Sequence, residues 1–198
     1  MASFRPVTLT STLCKLMKRI VARRVRDCVE DKLQPQQSGF RPARSTLDTL
    51  MQVTSAVRRR MDGEKTAAMF IGYARAFDSV DHDCIVKVPL SFGVEMHLVA
   101  WIADFLQGRT AQVRVNNTLS EDISLTCGVP QGSVLGPLLF IVTVDSLSKR
   151  LNCIPRLQHG FFADDLTIVC TSVDLSAIQQ SIQQGLDCIT RWSEEHYM

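Results

Sequence analysis

Two adjacent aspartates, Asp164 and Asp165, stand between two apolar segments late in the chain. Residues 160–163 (GFFA) lead into the pair and residues 166–169 (LTIV) follow it. Short apolar arms around a polar centre are typical of a β-hairpin. Neighbouring carboxylates repel each other, and burying an unpaired charge is costly. The pair is therefore expected either in an exposed acidic turn or on a bound divalent cation.

A glycine- and proline-rich loop, residues 128–137 (GVPQGSVLGP), precedes the hairpin. Its glycines would let another part of the backbone approach closely, and its amide side chain, Gln131, could hydrogen-bond a sugar or a base. Within the hairpin, residues 161–163 (FFA) stand where an exposed turn would use glycine or asparagine. The loop and the hairpin together favour a metal site over a simple acidic turn.

The net charge of +2 hides an uneven distribution. Residues 1–62 contain 13 Lys and Arg against 5 Asp and Glu, whereas residues 63–198 contain 9 against 15. A basic part beside an acidic part suits a protein that grips a polyanion with one part and binds cations with the other. Solvated helix faces would give the same charge pattern, so charge alone leaves both explanations open.

The seven cysteines are scattered, and their number is odd. This argues against a disulfide framework or a zinc site and for a reducing compartment. No apolar run reaches the ~18 residues that a membrane-spanning helix needs, and the N-terminus lacks the apolar core of a secretory signal. We therefore expect a nuclear or cytoplasmic protein that is neither secreted nor inserted in a membrane.

The apolar periodicity predicts a helical N-terminal part and a mixed remainder. A helix of about two dozen residues should start behind Thr10 and Ser11 and end near Pro35. Residues 45–48 (STLD) resemble a capping box with a shorter acid and open a second helix. The apolar segment Thr66 to Tyr73 predicts a buried strand. Further elements are expected at residues 95–106 (helix), 111–115 and 123–125 (strands), after Pro137 (helix) and after Asp174 (amphipathic helix).

Five segments of the chain, in order, resemble the polymerase motifs of LINE-type (non-LTR retrotransposon) reverse transcriptases. Residues 5–9 (RPVTL) and 37–46 (QSGFRPARST) resemble the two fingers motifs. Residues 67–82 (AAMFIGYARAFDSVDH) resemble motif A, residues 128–137 motif B, and residues 162–165 (FADD) motif C. The resemblance covers nearly the whole chain, and five motifs in one order make a chance match very improbable.

The resemblance implies an α+β fold with the fingers and palm of a right-hand polymerase. The fingers should occupy residues 1–65 and be mostly helical. The palm should occupy residues 66–198 and form a small antiparallel sheet backed by helices, with no thumb before the chain ends. The implied activity is RNA-directed DNA polymerisation by two-metal nucleotidyl transfer, with Mg²⁺ (or Mn²⁺) as cofactor. An RNA template with a DNA primer and deoxynucleoside triphosphates are the implied partners.

The family pattern has three metal-binding aspartates, and this chain departs from it at one of them. Asp164 and Asp165 match the motif C pair and are the expected catalytic metal ligands. The motif A position holds Gly72, which offers no side-chain ligand, so we expect an impaired copy. Asp78 accompanies the missing aspartate in the family and is not expected to replace it. The resemblance places Phe77, Gln131, Arg75, Arg41 and Arg44 near the nucleotide, and Arg58, Arg59 and Arg60 near the template.

Other functions remain open at this level. The chain could be a non-catalytic nucleic-acid-binding relic that retains only the basic fingers, or an unrelated hydrolase that uses the double aspartate. A group II intron-type or telomerase-like polymerase is a third alternative. The fingers motifs argue against the hydrolase, and the wording of motif A favours a LINE-type element over the third alternative.

Overall fold

The computed structural model describes residues 11–58 and 63–198. The first fingers motif, together with Arg59 and Arg60, lies outside these residues. The helices are α1 (Thr12–Val29), α2 (Thr46–Arg58), α3 (Ala76–Ser79), α4 (His82–Ser91), α5 (Met96–Leu106), α6 (Gly136–Leu151) and α7 (Leu175–Glu195), and a 3-10 turn (Glu30–Lys32) follows α1. The strands are β1 (Lys65–Gly72), β2 (Arg109–Ala111), β3 (Arg114–Val115), β4 (Thr118–Leu119), β5 (Ile123–Leu125), β6 (Leu157–Phe162) and β7 (Asp165–Ser172).

Short polar side chains begin the helices where the sequence predicts them. Ser11 accepts a hydrogen bond from the backbone N–H of Cys14 at the start of α1. At α2, the Asp48 carboxylate accepts from the backbone N–H of Ser45, as in a capping box with a shorter acid. Asp174 accepts from the backbone N–H of Ser176 and begins α7. Each cap satisfies an N–H that the first turn of a helix leaves unpaired.

A three-stranded antiparallel sheet with the order β1-β7-β6 holds the motif C hairpin. β7 lies in the centre, and its pairing with β1 runs from Lys65 opposite Ser172 to Gly72 opposite Asp165. The expectation that β1 is buried is wrong, because β1 is an edge strand and Phe70 on it is 77% exposed. An apolar run alone does not reveal whether a strand has one neighbouring strand or two.

The sheet lies between α2 on one face and α6 and α7 on the other. Gly160 of β6 faces α2, since a Cβ placed there would lie 2.9 Å from Gln52 Oε1. The preceding residue, His159, faces the opposite way and hydrogen-bonds Ser148 of α6. Neighbouring side chains of a strand point to opposite faces, so helices cover the two sides of β6. Helix α2, expected in the fingers, packs directly on the palm sheet.

The expected α+β class is confirmed: small antiparallel sheets combine with seven helices in the described residues. The region after α5 forms two short ladders, β2 with β5 and β3 with β4, where the sequence predicts one strand and its return. Within residues 11–58 and 63–198, no helix is both long and apolar enough to cross a bilayer.

Candidate active site

The predicted hairpin brings Asp164 and Asp165 to one end of the palm sheet. β6 ends at Phe162 and β7 begins at Asp165, so Ala163 and Asp164 form a two-residue turn. Ala163 has a φ of 57°, in the left-handed region that a residue with a side chain rarely adopts. Asp164 is half-buried and Asp165 is exposed. The two carboxylates therefore lie at the end of the sheet, and at least Asp165 is open to solvent.

Gly72 lies directly opposite Asp165 in the pairing of β1 with β7. Among the described residues, a Cβ placed on Gly72 would meet only the Oδ1 of Asp165, at 3.8 Å, within the range of ordinary van der Waals contact. The φ of Gly72 lies outside the left-handed region, so its backbone accommodates any L residue. A Cβ at this position would thus lie beside the Asp165 carboxylate without a steric clash.

The motif B loop packs against the segment that follows β1. The backbone N–H of Gly128 donates to the carbonyl of Val80 at 2.7 Å, and that of Val129 donates to the carbonyl of Phe77 at 2.6 Å. Gly128 has a φ of +80°, and a Cβ there would lie 2.6 Å from the Cα of Asp78. Glycine is therefore required at residue 128 by conformation and by close approach. The loop fixes motif A and motif B to each other.

Gln131 is engaged inside the protein. Its Nε2 donates to both carboxylate oxygens of Asp78, each at 2.9 Å. Asp78 thus makes a structural hydrogen bond within the protein. The contact joins the motif B loop to the end of motif A. Both oxygens of the Asp78 carboxylate accept from the Gln131 amide in this contact.

Phe77 packs as an aromatic residue of the core. Its ring stacks on Phe140 with centroids 4.4 Å apart, and Phe40 approaches it edge-on at 5.9 Å. Phe77 remains half-buried. It thus joins the loop that carries the second fingers motif to helix α6.

Arg41 has a different environment from the one its expected role near a nucleotide requires. Its side chain is 6% exposed and forms an ion pair with Glu30 at 2.7 Å. Its remaining guanidinium nitrogens donate to the carbonyls of Glu30, Gln34 and Gln37. With four hydrogen bonds to Glu30, Gln34 and Gln37, this guanidinium holds the fingers loop together.

The other expected arginines that the structure describes, Arg44, Arg58 and Arg75, are at least partly accessible. Arg44 donates to the carbonyl of Pro35 at 3.1 Å and keeps part of its guanidinium accessible. Arg75 is exposed, has a φ of 57° and lines a cleft of about 790 Å³ together with Asp78 and Glu195. Neither Asp164 nor Asp165 lines that cleft. Arg58 is exposed at the C-terminal end of α2.

Sequence reasoning missed the support of the hairpin by the second fingers motif. The backbone N–H of Ser38 donates to the carbonyl of Phe161, and the N–H of Phe161 donates to the carbonyl of Gln36. These contacts form a parallel bridge between residue 37 and β6. Gln37 and Ser38 are both buried although both are polar. The sequence indicates this contact with the hairpin only weakly, because a polar run beside a glycine is also typical of an exposed loop.

The whole chain, residues 1–198, matches the family model described as "Reverse transcriptase (RNA-dependent DNA polymerase)". It is 33% identical over 203 residues to the probable RNA-directed DNA polymerase from transposon BS of Drosophila melanogaster, covering 96% of this chain and 22% of that protein. It is 30% identical over 200 residues to the RNA-directed DNA polymerase from mobile element jockey of the same species, covering 97% and 22%.

Two solved structures share the fold. Apo telomerase from Candida tropicalis, truncated from the C-terminal domain, matches with a TM-score of 0.59 at 7% identity, over 89% of this chain and 36% of that chain. Telomerase from Candida albicans in complex with a fragment of telomeric RNA gives a TM-score of 0.52 at 11% identity, over 86% and 32%. The expected fingers-and-palm fold is thereby confirmed.

The chain spans about a fifth of the length of the curated relatives it matches. Another relative, the Pol polyprotein from the type-1 retrotransposable element R2 of Popillia japonica, is 26% identical over 182 residues. The matches extend over nearly the whole chain and so include all the segments that carry the motifs. The chain belongs to the reverse transcriptase (RNA-dependent DNA polymerase) family, among the polymerases of non-LTR retrotransposons.

Proposed function

We propose that this chain is a fingers-palm part, fingers 1–65 and palm 66–198, of a non-LTR retrotransposon polymerase that extends a DNA primer on an RNA template. Asp164 and Asp165 are its metal ligands, and Mg²⁺ is its ion. Gly72 occupies the position of the third carboxylate, so nucleotidyl transfer is impaired in this copy. Family membership supports the reaction class.

The observation that carries the proposal is the pairing of Gly72 with Asp165. In a two-metal site the ions lie about 3.5–4 Å apart and need carboxylates that converge from neighbouring strands. Position 72 is on the strand next to the hairpin, and a Cβ there would lie 3.8 Å from the nearest Asp165 oxygen. The open space beside Asp165 is what a lost aspartate would leave.

The donor set fits Mg²⁺ in part. Magnesium prefers oxygen ligands and is commonly bound through one or two carboxylates, with water and substrate phosphates completing its coordination. Asp164 and Asp165 supply such carboxylates. Among the residues that the structure describes, no group of three or more acidic, histidine or cysteine side chains converges. Two carboxylates suit one weakly held ion better than a pair of ions.

The roles of the residues follow from their positions. When bound, the metal ions stabilise the charge on the attacking and leaving oxygens of an in-line displacement. Phe77 supplies an aromatic wall for the nucleotide. Gln131, on the motif B loop, also lies near the nucleotide in this proposal. Arg44 and Arg75 are accessible cations that contact phosphate in this proposal. Arg58, Arg59 and Arg60 are assigned to the template from their place in the sequence. Arg41 stabilises the loop from which Arg44 projects.

The test is to restore the carboxylate. Gly72→Asp should bind Mn²⁺, measured by electron paramagnetic resonance, more tightly than the unmodified chain. It should also raise primer extension on an RNA template with Mg²⁺ or Mn²⁺ by ~10²–10⁴-fold, the usual loss when one member of a catalytic unit is missing. Both forms are also assayed fused to the segment that follows the matched region in a relative.

Gly72→Asn is the matched control, because it adds the same shape without the charge. It should leave metal binding and extension at the level of the unmodified chain. Asp165→Asn in the Gly72→Asp protein should abolish the gain. Equal extension by the unmodified chain and by Gly72→Asp would overturn the claim that residue 72 is the lost ligand position.

A second function is favoured by the basic surface of α1. Lys15, Arg19, Arg23 and Arg24 are exposed, and none of them makes an ion pair with another described residue. Unpaired cations on one helix suit binding to a nucleic-acid backbone without catalysis. RNA binding that depends on salt and is indifferent to Mg²⁺, in a chain that Gly72→Asp does not activate, would favour this relic function.

A further inference from the structure

Gln37 binds the turn of the aspartate hairpin through both ends of its side-chain amide. Its Oε1 accepts from the backbone N–H of Ala163 at 3.1 Å, and its Nε2 donates to the carbonyl of the same residue at 3.2 Å. Oε1 also accepts from the backbone N–H of Gly39 at 2.8 Å. Gln37 is 2% exposed, so these hydrogen bonds are shielded from water.

The backbone of residues 38 and 39 is in direct contact with the hairpin. A Cβ placed on Gly39 would lie 2.1 Å from the backbone nitrogen of Ala163. Between Gln37 and Gly39, the N–H of Ser38 donates to the carbonyl of Phe161 at 2.9 Å. Only a glycine can occupy residue 39, and residues 37–39 are held in contact with the tip of the hairpin.

The turn needs such support for two physical reasons. Ala163 adopts a left-handed φ of 57°, which costs a residue with a side chain about 1 kcal/mol. The carboxylates of Asp164 and Asp165 are adjacent in sequence and repel each other, which the turn must withstand. A buried amide that bonds the N–H and the carbonyl of one residue fixes the orientation of that residue in both directions.

We propose that Gln37 is a positioning residue for the metal-binding hairpin, fixing Ala163 so that Asp164 and Asp165 are presented together. It touches neither the metal nor the substrate and acts through the backbone of Ala163. Through Gln37, the second fingers motif is mechanically linked to motif C. The catalytic part of this inference rests on the proposed function, whereas the structural part does not.

Gln37→Met removes the hydrogen bonds and keeps the length of the side chain. We expect backbone amide exchange at Ala163, measured by NMR in the full chain, to accelerate about tenfold, as loss of a buried hydrogen bond predicts. The amide of Ile168, in the central strand of the same sheet, should change less than about twofold. Gln36→Met is the matched control, since the Gln36 side chain bonds Asn152 and not the hairpin. It should leave Ala163 unchanged.

Unchanged exchange at Ala163 in Gln37→Met would overturn the proposal. Equal acceleration at Ala163 and Ile168 would also overturn it, because Gln37 would then stabilise the fold in general. Should Gln37→Met not fold, Gln37→Glu decides. Glutamate keeps the acceptor for the N–H of Ala163 and loses the donor to its carbonyl, so protection of that N–H should persist.

The kinetic constants kcat and KM distinguish a positioning residue from a residue that only stabilises the fold. In the Gly72→Asp protein, Gln37→Met should lower kcat at least tenfold and leave KM for the nucleotide within about twofold, since the carboxylates and not the nucleotide contacts are displaced. A rise in KM with unchanged kcat would refute the positioning role. If Gly72→Asp itself is inactive, the proposed function fails, and the exchange measurement alone decides the role of Gln37.

Discussion

The Nε2 of Gln131 donates to both carboxylate oxygens of Asp78 at 2.9 Å, and this pair closes motif B onto motif A. A carboxylate held in this way by an amide is a poor candidate to replace the missing ligand at residue 72. The pair also explains how a loop with three glycines keeps one position relative to α3, since its side-chain contact adds to the backbone bonds of Gly128 and Val129.

Asp78→Asn should lower the free energy of unfolding by about 1–2 kcal/mol, because it weakens a hydrogen bond to a charged acceptor. It should leave the Mn²⁺ affinity of the Gly72→Asp protein unchanged. Chemical denaturation and a metal titration check the two statements. The control is Asp83→Asn, which removes an exposed partner of Lys87 and should cost almost nothing. Loss of Mn²⁺ binding in Asp78→Asn would instead make Asp78 a ligand.

Gly128→Ala should destabilise the protein more than Gly108→Ala does. Both glycines have positive φ, +80° and +62°, so alanine is strained by about 1–2 kcal/mol at either position. At Gly108 no atom of the described residues lies within 4 Å of the added Cβ, whereas at Gly128 the added Cβ would lie 2.6 Å from the Cα of Asp78. Overpacking against backbone adds about 1–3 kcal/mol. If denaturant unfolding gave the same loss of unfolding free energy for both variants, the close approach at Gly128 would contribute nothing.

Local sequence was sufficient to predict the elements whose causes are local. Ser11, Ser45 and Asp174 begin their helices, and Asp164 and Asp165 lie at the hairpin. Each of these features depends on a few consecutive residues, whose caps and alternation can be read directly.

Features that depend on distant partners were not predictable. In the part of the chain that the structure describes, β1 pairs with β7 alone, and no pattern within residues 66–73 encodes this edge position. The ion pair of Arg41 with Glu30 was not predictable, because nothing in the segment around Arg41 shows that Glu30 lies beside it. In α1 the apolar residues Leu13, Leu16, Met17 and Ile20 are exposed while Lys18 is buried. Helical periodicity identifies a face and not what covers it.

Protonation of His159 should make the protein less stable in mild acid. Burial lowers the pKa of His159 to about 4 from 6.5, and its Nε2 lies 2.8 Å from the Oγ of Ser148. Between these two values the unfolded chain binds a proton that the folded chain does not, so stability falls as the pH drops from 6.5 to about 4. The loss should total roughly 3 kcal/mol at about 1.4 kcal/mol for each unit.

Denaturant unfolding at several pH values tests this dependence. His159→Asn keeps a side chain that can hydrogen-bond Ser148 and should lower the proton uptake on unfolding by about one in this window. His97→Gln, which removes an exposed histidine, should leave the pH slope nearly unchanged. An equal slope in the unmodified chain and in His159→Asn would assign the acid sensitivity to other groups.

Lys18→Met should raise the stability of the chain. The side chain is 1% exposed, and its Nζ has no hydrogen-bond partner among the described residues. The ring of Phe105 lies 4.9 Å away, but a second cation, Arg109, lies 5.0 Å from the same ring. A buried charge without an acceptor costs about 1–3 kcal/mol or more, which the cation–π contact offsets only in part. Lys15→Met, exposed on the same helix, is the control, and a loss of stability in Lys18→Met would contradict the prediction.

The basic surface of α1 should control how RNA binding depends on salt. Arg19 and Arg23 are exposed one helical turn apart, so one strand can contact both. Replacing both by glutamine should weaken binding to single-stranded RNA and reduce the slope of log K against log salt by up to about 1.4, or about 0.7 for each phosphate contact. Lys87→Gln with Arg156→Gln removes two exposed cations elsewhere and should leave the slope unchanged. Equal slopes for both double variants would mean that net charge, and not the α1 surface, holds the RNA.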